Sequence, residues 1–311
     1  MIDYDADRVR VARPAAAPAR PALPGAGRPP PWHDARMTDD EQTRHQAGTT
    51  DDEQTRHQAG TTDDDVTLAE FTDLMRAQES GAGILATLAD AVRHPRPDLP
   101  IVDLGCGTGL GTLRLAGSFP HHRMVAVEKS AAMRAVLFSR IAYDESLRQR
   151  ITVLPGDLFT ADLPGVWGAA VAVHLVCQLA PAQRADLWRL LAGHLAPGAP
   201  AVVDRHYGST ATMRVEERLA CRTTVGDCTY ERWFACAPAD HESITYTDTY
   251  RVLRHGRILD ERSVSRRSWI ATEDDVIAEA GQAGLTVAWT TGEFLALTVE
   301  EGRLTHPGAG G

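Results

Sequence analysis

Short apolar runs alternate with amphipathic stretches along the middle of the chain, and this alternation predicts a parallel α/β sheet. The runs lie at residues 101–104, 124–127, 151–154, 169–176 and 201–203. Apolar residues at helical spacing separate them, so five strand–helix units follow one another, which favours a doubly wound sheet. Ahead of the first run, residues 66–75 and 84–92 predict two more helices.

The pattern changes after residue 206, where a helical stretch is expected around 210–222. Polar and aromatic side chains then interleave in a way that predicts long antiparallel strands, at residues 229–236, 243–253 and 259–270. A return to the first pattern predicts a helix at 273–283 and strands at 285–289 and 294–299. The antiparallel part is therefore predicted to be an insertion near the end of the sheet.

The first 65 residues show neither periodicity. Residues 1–36 are rich in Pro, Ala and Arg and are predicted to be disordered, because they cannot bury enough apolar surface to offset the entropy of ordering. The polar sequence TDDEQTRHQAG recurs at 38–48 and 50–60, without an apolar face that would let the copies stack. The break in composition favours Met37 as the true start of translation.

The formal net charge is −10, and residues 37–65 supply nine acidic residues against Arg44 and Arg56. The remaining chain is mildly acidic and has no basic stripe, which argues against nucleic acid as a partner. No signal peptide and no apolar run of about 20 residues is present, so we expect a cytoplasmic protein without a membrane anchor.

The five cysteines form no close CxxC pair, and we expect reduced thiols. Cys221, Cys228 and Cys236 lie near His241, but their spacings of seven and eight match no compact zinc site. The sequence therefore predicts no metal.

The most informative segment is the end of the first predicted strand, where Asp103 precedes glycines at 105, 107 and 109. Glycine permits positive φ and close approach of a ligand to the backbone. A dinucleotide fingerprint would need a third glycine where Leu110 or Thr112 stands. A phosphate-binding Walker loop would need a lysine, and Lys129 is the only lysine in the chain.

The segment from Ile101 to Gly109 resembles motif I of the class I S-adenosylmethionine (SAM)-dependent methyltransferases, in which the acid and the glycine turn hold the methionine end of SAM. Further landmarks of that family follow in order, namely an acidic strand end at Glu128, Gly-Asp-Leu at 156–158, and Leu-x-Pro-Gly at 195–198. The resemblance runs from about residue 66 to residue 301.

The resemblance implies a Rossmann-like doubly wound seven-stranded sheet, with the last strand antiparallel and an antiparallel β lid between strands five and six. The expected divisions are a tail at 1–65, helices and SAM-binding core at 66–206, a substrate lid at 207–271, and the end of the core at 272–311.

The implied cofactor is SAM. Asp103 can accept a hydrogen bond from its ammonium group, and the two oxygens of Glu128 can accept hydrogen bonds from its ribose hydroxyls. The resemblance implies that Asp157 accepts from the adenine amino group and that Leu158 lines the ring. The full expected cofactor set is Asp103, Gly105, Cys106, Gly107, Gly109, Glu128, Lys129, Asp157, Leu158 and His174.

Methyl transfer is an in-line displacement, so the protein supplies mainly alignment and a dry cavity. A neutral amine needs no strong base, whereas a phenol or an indole needs a group such as His206, His241 or Tyr246. His174, His206 and Tyr207 are the expected catalytic residues, because they follow the fourth and fifth predicted strands. Packing of a core histidine and a polar hinge are the alternatives.

Aromatic residues concentrate in the predicted lid, which favours an aromatic or cationic substrate wall. Packing of the strand faces is the alternative, and it is expected to account for about half of them. The expected substrate contacts are Gln178, Tyr230, Trp233, Tyr246 and Trp269.

The lid resembles that of small-molecule methyltransferases in actinobacterial natural-product pathways, including amino-sugar N-methyltransferases and indole C-methyltransferases. The predicted function is methylation of an amine, an indole or other aromatic carbon, or a hydroxyl in antibiotic or other secondary metabolism. The alternatives are a SAM-binding regulatory or scaffolding protein without turnover, and an RNA or protein methyltransferase. The predicted partner is a small aromatic or nitrogen-containing substrate, with homodimerisation left open.

Overall fold

The computed structural model describes residues 63–77, 82–205 and 212–300. Residues 1–62 of the expected tail at 1–65, and the expected start at Met37, lie outside the described residues, whereas residues 63–65 are the first turn of a helix and not part of a tail. The helices are α1 (Asp63–Arg76), α2 (Ala82–Val92), α3 (Leu110–Ser118), α4 (Ala131–Ile141), α5 (Glu145–Arg150), α6 (Pro181–His194) and α7 (Glu273–Gln282). The strands are β1 (Ile101–Leu104), β2 (Met124–Glu128), β3 (Ile151–Pro155), β4 (Ala169–Ala172), β5 (Ala201–Asp204), β6 (Val215–Val225), β7 (Cys228–Pro238), β8 (Ser243–Arg254), β9 (Arg257–Trp269), β10 (Leu285–Thr290) and β11 (Phe294–Val299).

The main sheet has seven strands in the order β10-β11-β5-β4-β1-β2-β3. Strands β1 to β5 run parallel to one another, whereas β11 pairs antiparallel with both β5 and β10. The predicted doubly wound sheet with an antiparallel last strand is confirmed.

All residues of β1, β4 and β5 are buried, as expected for parallel strands covered on both faces. One face packs against α6 and α7 through residues such as Trp188 and Val276. The other face packs against α2, α3 and α4 through Leu88, Leu115 and Leu137. These two apolar layers hold the carboxyl ends of the strands in a fixed arrangement.

The insertion forms a separate antiparallel sheet in the order β6-β7-β8-β9, between β5 and α7. The predicted insertion is confirmed, but the helical stretch expected around 210–222 is wrong because β6 occupies Val215–Val225. This segment contains good helix formers such as Glu216 and Arg218, and its pairing with β7 overrides that local preference.

Several element boundaries also differ from the prediction. The strand expected over 169–176 ends at Ala172 and is followed by a short 3-10 helix, Val176–Gln178. Helix α5 was not predicted; the Asp144 side chain caps it by accepting a hydrogen bond from the Leu147 backbone N–H. Helix α1 begins at Asp63, where three acidic residues favour the positive end of the helix dipole.

The second sheet has two faces that matter for the site. Because side chains alternate along a strand, the β7–β8 and β8–β9 registers place Tyr230, Tyr246, Asp248, Tyr250 and Arg266 on one face, which we call the inner face. The registers place Trp233, Arg251, Arg267 and Trp269 on the opposite, outer face.

Helix α1 packs on the inner face. The Phe71 ring stacks on the Tyr250 ring with centroids 4.8 Å apart, and Leu68 and Met75 complete a small apolar cluster with Cys221 and other residues of the sheet. Glu70 forms an ion pair with Arg262 of β9. These contacts fix the sheet relative to the helix that precedes the core.

Candidate active site

The carboxyl ends of β1, β2, β4 and β5 bring the predicted polar residues to one edge of the main sheet. Strand β1 lies between β2 and β4, so the chain order reverses direction at the β1–β4 boundary. In open α/β sheets, the crevice outside such a reversal is where ligands bind. The loop containing Gly105, Gly107 and Gly109 follows β1 directly into this crevice.

The glycine loop is bent by left-handed backbone conformations, with φ of 71° at Gly105, 56° at Gly107 and 83° at Gly109. A β-carbon at Gly107 would meet no heavy atom within 4 Å, so space is open above it. A β-carbon at Gly109 would lie 2.3 Å from Leu137 Cδ1. Gly107 therefore permits close approach of a ligand, whereas Gly109 permits packing of the loop on α4.

Glu128, at the end of β2, is half-buried and faces the glycine loop. Its Oε2 accepts a hydrogen bond from the Gly107 backbone N–H at 2.9 Å, and its Oε1 accepts from the Ser130 N–H at 2.7 Å. Each carboxylate oxygen has a second lone pair, so both can still accept from a ligand. The side chain of Lys129 is exposed beside it, and its backbone carbonyl accepts from Arg134.

Asp103 is buried within β1 and accepts a hydrogen bond from the Thr112 hydroxyl at 2.6 Å. Burial raises the pKa of Asp103 to about 6, the Thr112 hydrogen bond opposes that rise, and the charge of Glu128 adds to it. A buried carboxylate with such a raised pKa is a strong acceptor for a cation. Burial also raises the pKa of the Cys106 thiol, so this cysteine stays protonated.

Asp157 and Leu158 follow β3 on the far side of Glu128. Asp157 is exposed, and its Oδ1 accepts from the Phe159 backbone N–H at 2.9 Å, which holds the turn. Leu158 is buried in the core. The Gly156 backbone N–H donates to the Glu128 carbonyl at 3.3 Å, so this turn is joined to the end of β2.

These residues fit the chemistry of SAM. A buried acid lies at one end of the crevice, the open position at Gly107 lies in the middle, and a carboxylate with free lone pairs follows. Such a set can accept from an ammonium, contact a chain closely along the backbone, and accept from a pair of hydroxyls.

His174 follows β4 and lies against the end of β5. Its backbone N–H donates to Asp204 Oδ1 at 2.7 Å, and its ring Nδ1 lies 3.6 Å from Asp204 Oδ2. The residue has a left-handed φ of 56°, and the Gln178 side chain donates to its carbonyl. His206 and Tyr207, the other expected catalytic residues, lie outside the described residues.

Asp204 is buried at the end of β5 and was not predicted as a site residue. An acidic residue at the end of an apolar strand was the available signal. Its pairing with His174 could not be inferred, because it depends on β4 and β5 being neighbours and on the irregular backbone at His174.

The predicted substrate residues of the second sheet do not share one surface. Tyr230 and Tyr246 lie on the inner face, whereas Trp233 and Trp269 lie on the outer face. The Trp233 indole donates to Glu231 at 2.8 Å, and the Arg267 guanidinium lies over the Trp269 ring. Alternation along a strand predicts two faces but does not tell which of them is turned toward the crevice.

His241 lies exposed in the connection between β7 and β8. Within residues 63–77, 82–205 and 212–300, no cluster of three or more His, Cys, Asp or Glu side chains is arranged to hold a metal ion. None of the helices in these ranges has the length and apolar character needed to span a bilayer.

A link from α1 to the glycine loop was also missed. The Thr108 hydroxyl donates to Asp73 Oδ1 at 2.7 Å, and Asp73 forms an ion pair with Arg140 of α4. Thr108 and Asp73 are 35 residues apart, and nothing in the local pattern around either residue indicates that they meet.

Comparison with known proteins agrees with this geometry. Residues 101–198 match the family model described as a methyltransferase domain. No curated protein sequence matches the chain.

Solved structures with the same fold include DesVI from Streptomyces venezuelae, with 18% identity, a TM-score of 0.59, and coverage of 75% of this chain and 97% of that chain. SAM-bound CalS10, an amino pentose methyltransferase from Micromonospora echinaspora involved in calicheamicin biosynthesis, has 22% identity, a TM-score of 0.56, and coverage of 74% and 96%. The sugar N-methyltransferase KedS8 from Streptoalloteichus has 18% identity, a TM-score of 0.57, and coverage of 83% and 99%.

The motif around the glycine loop, the strand order with its antiparallel last strand, and the match over residues 101–198 agree with one another. They show that residues 101–198 match a methyltransferase domain and that the chain has the fold of the solved methyltransferase structures named above.

Proposed function

We propose that the enzyme transfers the methyl group of SAM to an amino group of a small molecule in natural-product biosynthesis. The observation that supports this proposal best is the meeting of two sets of residues at one sheet edge. Asp103, the glycine loop and Glu128 form the first set, and His174 with Asp204 forms the second.

The first set is proposed to bind the cofactor, with Asp103 accepting from the ammonium, Gly105 to Gly109 contacting the methionine chain, and Glu128 accepting from the ribose hydroxyls. Asp157 and Leu158 are proposed to contact the adenine. When bound, SAM supplies an electrophilic methyl group on a positively charged sulfur.

The second set is proposed to receive the acceptor. An amine arrives mostly protonated at neutral pH, and the buried Asp204 carboxylate attracts that positive charge. His174 lies beside this carboxylate and can take the proton, which exposes the nitrogen lone pair needed for attack. An amine acceptor therefore uses both members of the pair.

The structural neighbours are consistent with an amine. CalS10 is named an amino pentose methyltransferase and KedS8 a sugar N-methyltransferase. Aromatic carbons and hydroxyls are the competing acceptor types, and they call for a base without needing a group that attracts an ammonium.

The test is to incubate the protein with SAM and with matched panels of amino sugars and other amines, indoles, phenols and aliphatic alcohols. Mass spectrometry would follow S-adenosylhomocysteine and any product heavier by one methyl group. Methylation confined to amines is expected. Methylation of indoles or alcohols alone would overturn the choice of acceptor. An extract of cells that naturally make the protein would be tested in the same way. Tight SAM binding without turnover on any panel or on this extract would support a regulatory protein.

A further inference from the structure

We propose that helix α1 couples the proposed cofactor site to the second sheet, with Asp73 as the positioning residue that makes the connection. A bound cofactor then holds α1 more firmly against the inner face, where two of the predicted substrate residues, Tyr230 and Tyr246, lie. This inference rests on the proposed function, because it takes the glycine loop and Glu128 as the place where SAM binds.

One carboxylate joins α1 to two elements that border the candidate cofactor site. Asp73 Oδ1 accepts a hydrogen bond from the hydroxyl of Thr108, which belongs to the glycine loop, at 2.7 Å. Asp73 Oδ2 forms an ion pair with Arg140 of α4, the helix that follows Glu128. Thr108 is buried, and the Arg140 and Asp73 side chains are only 25% and 22% exposed, so solvent screens these contacts weakly.

The other side of α1 is attached to the second sheet. Phe71 and Met75 face the sheet, and Asp73 lies about 200° around the helix axis from each of them. The Phe71 ring stacks on the Tyr250 ring, and the Cys221 thiol donates to the Met75 carbonyl at 3.7 Å. Helix α1 therefore contacts the glycine loop on one side and the second sheet on the other.

A ligand at the glycine loop can act on α1 through the backbone of the loop. Ordering a loop with three glycines costs conformational entropy, because glycine has more backbone freedom than other residues. A ligand that contacts Gly107 and fixes the loop also fixes the next residue, Thr108, with its hydroxyl toward Asp73. The entropy of ordering is then lost once for both events, so ligand binding and docking of α1 strengthen each other.

The Cys221 thiol provides a measure of how firmly α1 is docked. Cys221 is only 8% exposed and lies against Met75, so a reagent reaches it in the rare molecules in which α1 has left the sheet. Cys236 is buried in the same sheet but is not part of the cluster that α1 forms. Its modification reports opening of the sheet itself, and it serves as the internal reference.

Asp73→Ala tests the proposal, with Asp64→Ala as its matched control. Both variants replace one acidic residue of α1 by a good helix former, but Asp64 is exposed in the first turn. The full-length protein would be treated with N-ethylmaleimide, without ligand and with S-adenosylhomocysteine at a concentration that saturates each variant. Peptide mass spectrometry would follow Cys221 and Cys236. Thr108→Val, which removes the same hydrogen bond from the loop side, provides a second variant if Asp73→Ala fails to fold.

We expect S-adenosylhomocysteine to slow modification of Cys221 about fivefold or more, relative to Cys236, in the unaltered protein and in Asp64→Ala. In Asp73→Ala and Thr108→Val the ligand should slow it less than about twofold. A merely structural ion pair would instead make Cys221 react faster in Asp73→Ala and leave the effect of the ligand unchanged, which would overturn the proposal. Equal slowing at Cys221 and Cys236 in the unaltered protein would overturn it as well.

Calorimetric titration of the unaltered protein with S-adenosylhomocysteine separates this inference from the proposed function. Absence of binding would overturn both. Binding without any slowing at Cys221 would overturn the coupling through α1 and leave the proposed cofactor site intact.

Discussion

Asp103 and Glu128 face the same loop, but they differ in burial and in the hydrogen bonds that they accept. Asp103 is sealed in β1 with one hydroxyl partner, so its ionised form is disfavoured without a cation. Glu128 is half-buried and held by two backbone N–H groups, which favour a charged acceptor that is already oriented. These surroundings suit the proposed roles, in which Asp103 accepts from the ammonium of SAM and Glu128 accepts from the ribose hydroxyls.

The raised pKa of Asp103 leads us to expect that the affinity for SAM depends on pH. Below pH about 6 the carboxyl is protonated in the free protein, and an ammonium must displace that proton. We therefore expect the affinity to fall as pH drops from 7 to 5, with release of a proton on binding. Calorimetry in two buffers of different ionisation enthalpy would measure this release, and a flat affinity over this range would contradict the assignment.

Asp103→Asn is predicted to lower the affinity for SAM and to raise the free energy of unfolding. The pKa of Asp103 is higher in the folded protein than in the unfolded chain, so its contribution to stability falls as pH rises from about 4 to about 6. Removing the charge should raise stability at pH 8 by up to about 3 kcal/mol, with the gain vanishing near pH 4. Thermal unfolding at the two pH values checks this, and SAM affinity should fall at least about tenfold.

Glu128→Gln should weaken SAM binding by about tenfold or more, and Glu128→Ala by about a hundredfold, because hydrogen bonds to a charged group are the stronger ones. Glu145→Gln removes an exposed carboxylate at the start of α5 and is the control. Calorimetric titration would compare the variants. Unchanged affinity in Glu128→Ala, with an unchanged melting temperature, would remove Glu128 from the site.

The glycine loop contains two glycines that look alike in the sequence but differ in their packing. Gly107 and Gly109 both have positive φ, but only Gly109 is packed against a neighbouring side chain. The sequence predicted the loop itself because the spacing of the glycines is local information. Which glycine serves packing depends on where α4 places Leu137, which is not local.

Gly109→Ala should cost more stability than Gly107→Ala, because its new methyl group would lie 2.3 Å from Leu137 Cδ1. Both substitutions carry the strain of a left-handed backbone, roughly 1 kcal/mol, and Gly109→Ala adds the repacking of Leu137. In contrast, Gly107→Ala should stay folded and lose SAM affinity. Denaturant unfolding and calorimetry would measure both effects, and equal losses of stability would contradict this division.

Three of the four strands of the insertion were predictable from the sequence, and the first one was not. Interleaved polar and aromatic residues predicted β7, β8 and β9 correctly, because alternation is a direct mark of a strand. Strand β6 was missed because its exposed face carries Glu and Arg, which are also common on helix surfaces. The positions of Trp233 and Trp269 on the outer face follow from docking of the sheet on α1, which no local pattern encodes.

Considered as a whole, the described molecule contains apolar clusters of two kinds. Two clusters lie on the faces of the seven-stranded sheet, and a third joins α1 to the second sheet. Order along the chain predicted a doubly wound sheet and the antiparallel insertion, and the family resemblance implied seven strands with the last one antiparallel. The third cluster joins segments more than 140 residues apart, such as Met75 and Cys221, and was not predictable.

Replacing residues 206–270 by a short Gly/Ser linker, and starting the chain at residue 82, would remove the third cluster and leave the other two. The Arg205 Nε and Glu273 Oε2 atoms lie 2.5 Å apart, so the two cut ends are within reach of a short linker. We expect the shortened protein to fold and to bind SAM, with weaker affinity because Thr108 loses Asp73, but to methylate nothing. Loss of cooperative unfolding would show instead that the sheet is not independently stable.

The position of β11 has a consequence for how the protein is made. This last strand of the described residues is not at an edge; it lies between β5 and β10 and pairs with both. During synthesis, β5 therefore presents a row of unpaired backbone groups until residues 294–299 leave the ribosome, and such a strand can pair with a neighbouring chain. Aggregation of nascent chains that stop before residue 294, and its absence in chains that reach residue 300, is the pattern that this topology imposes.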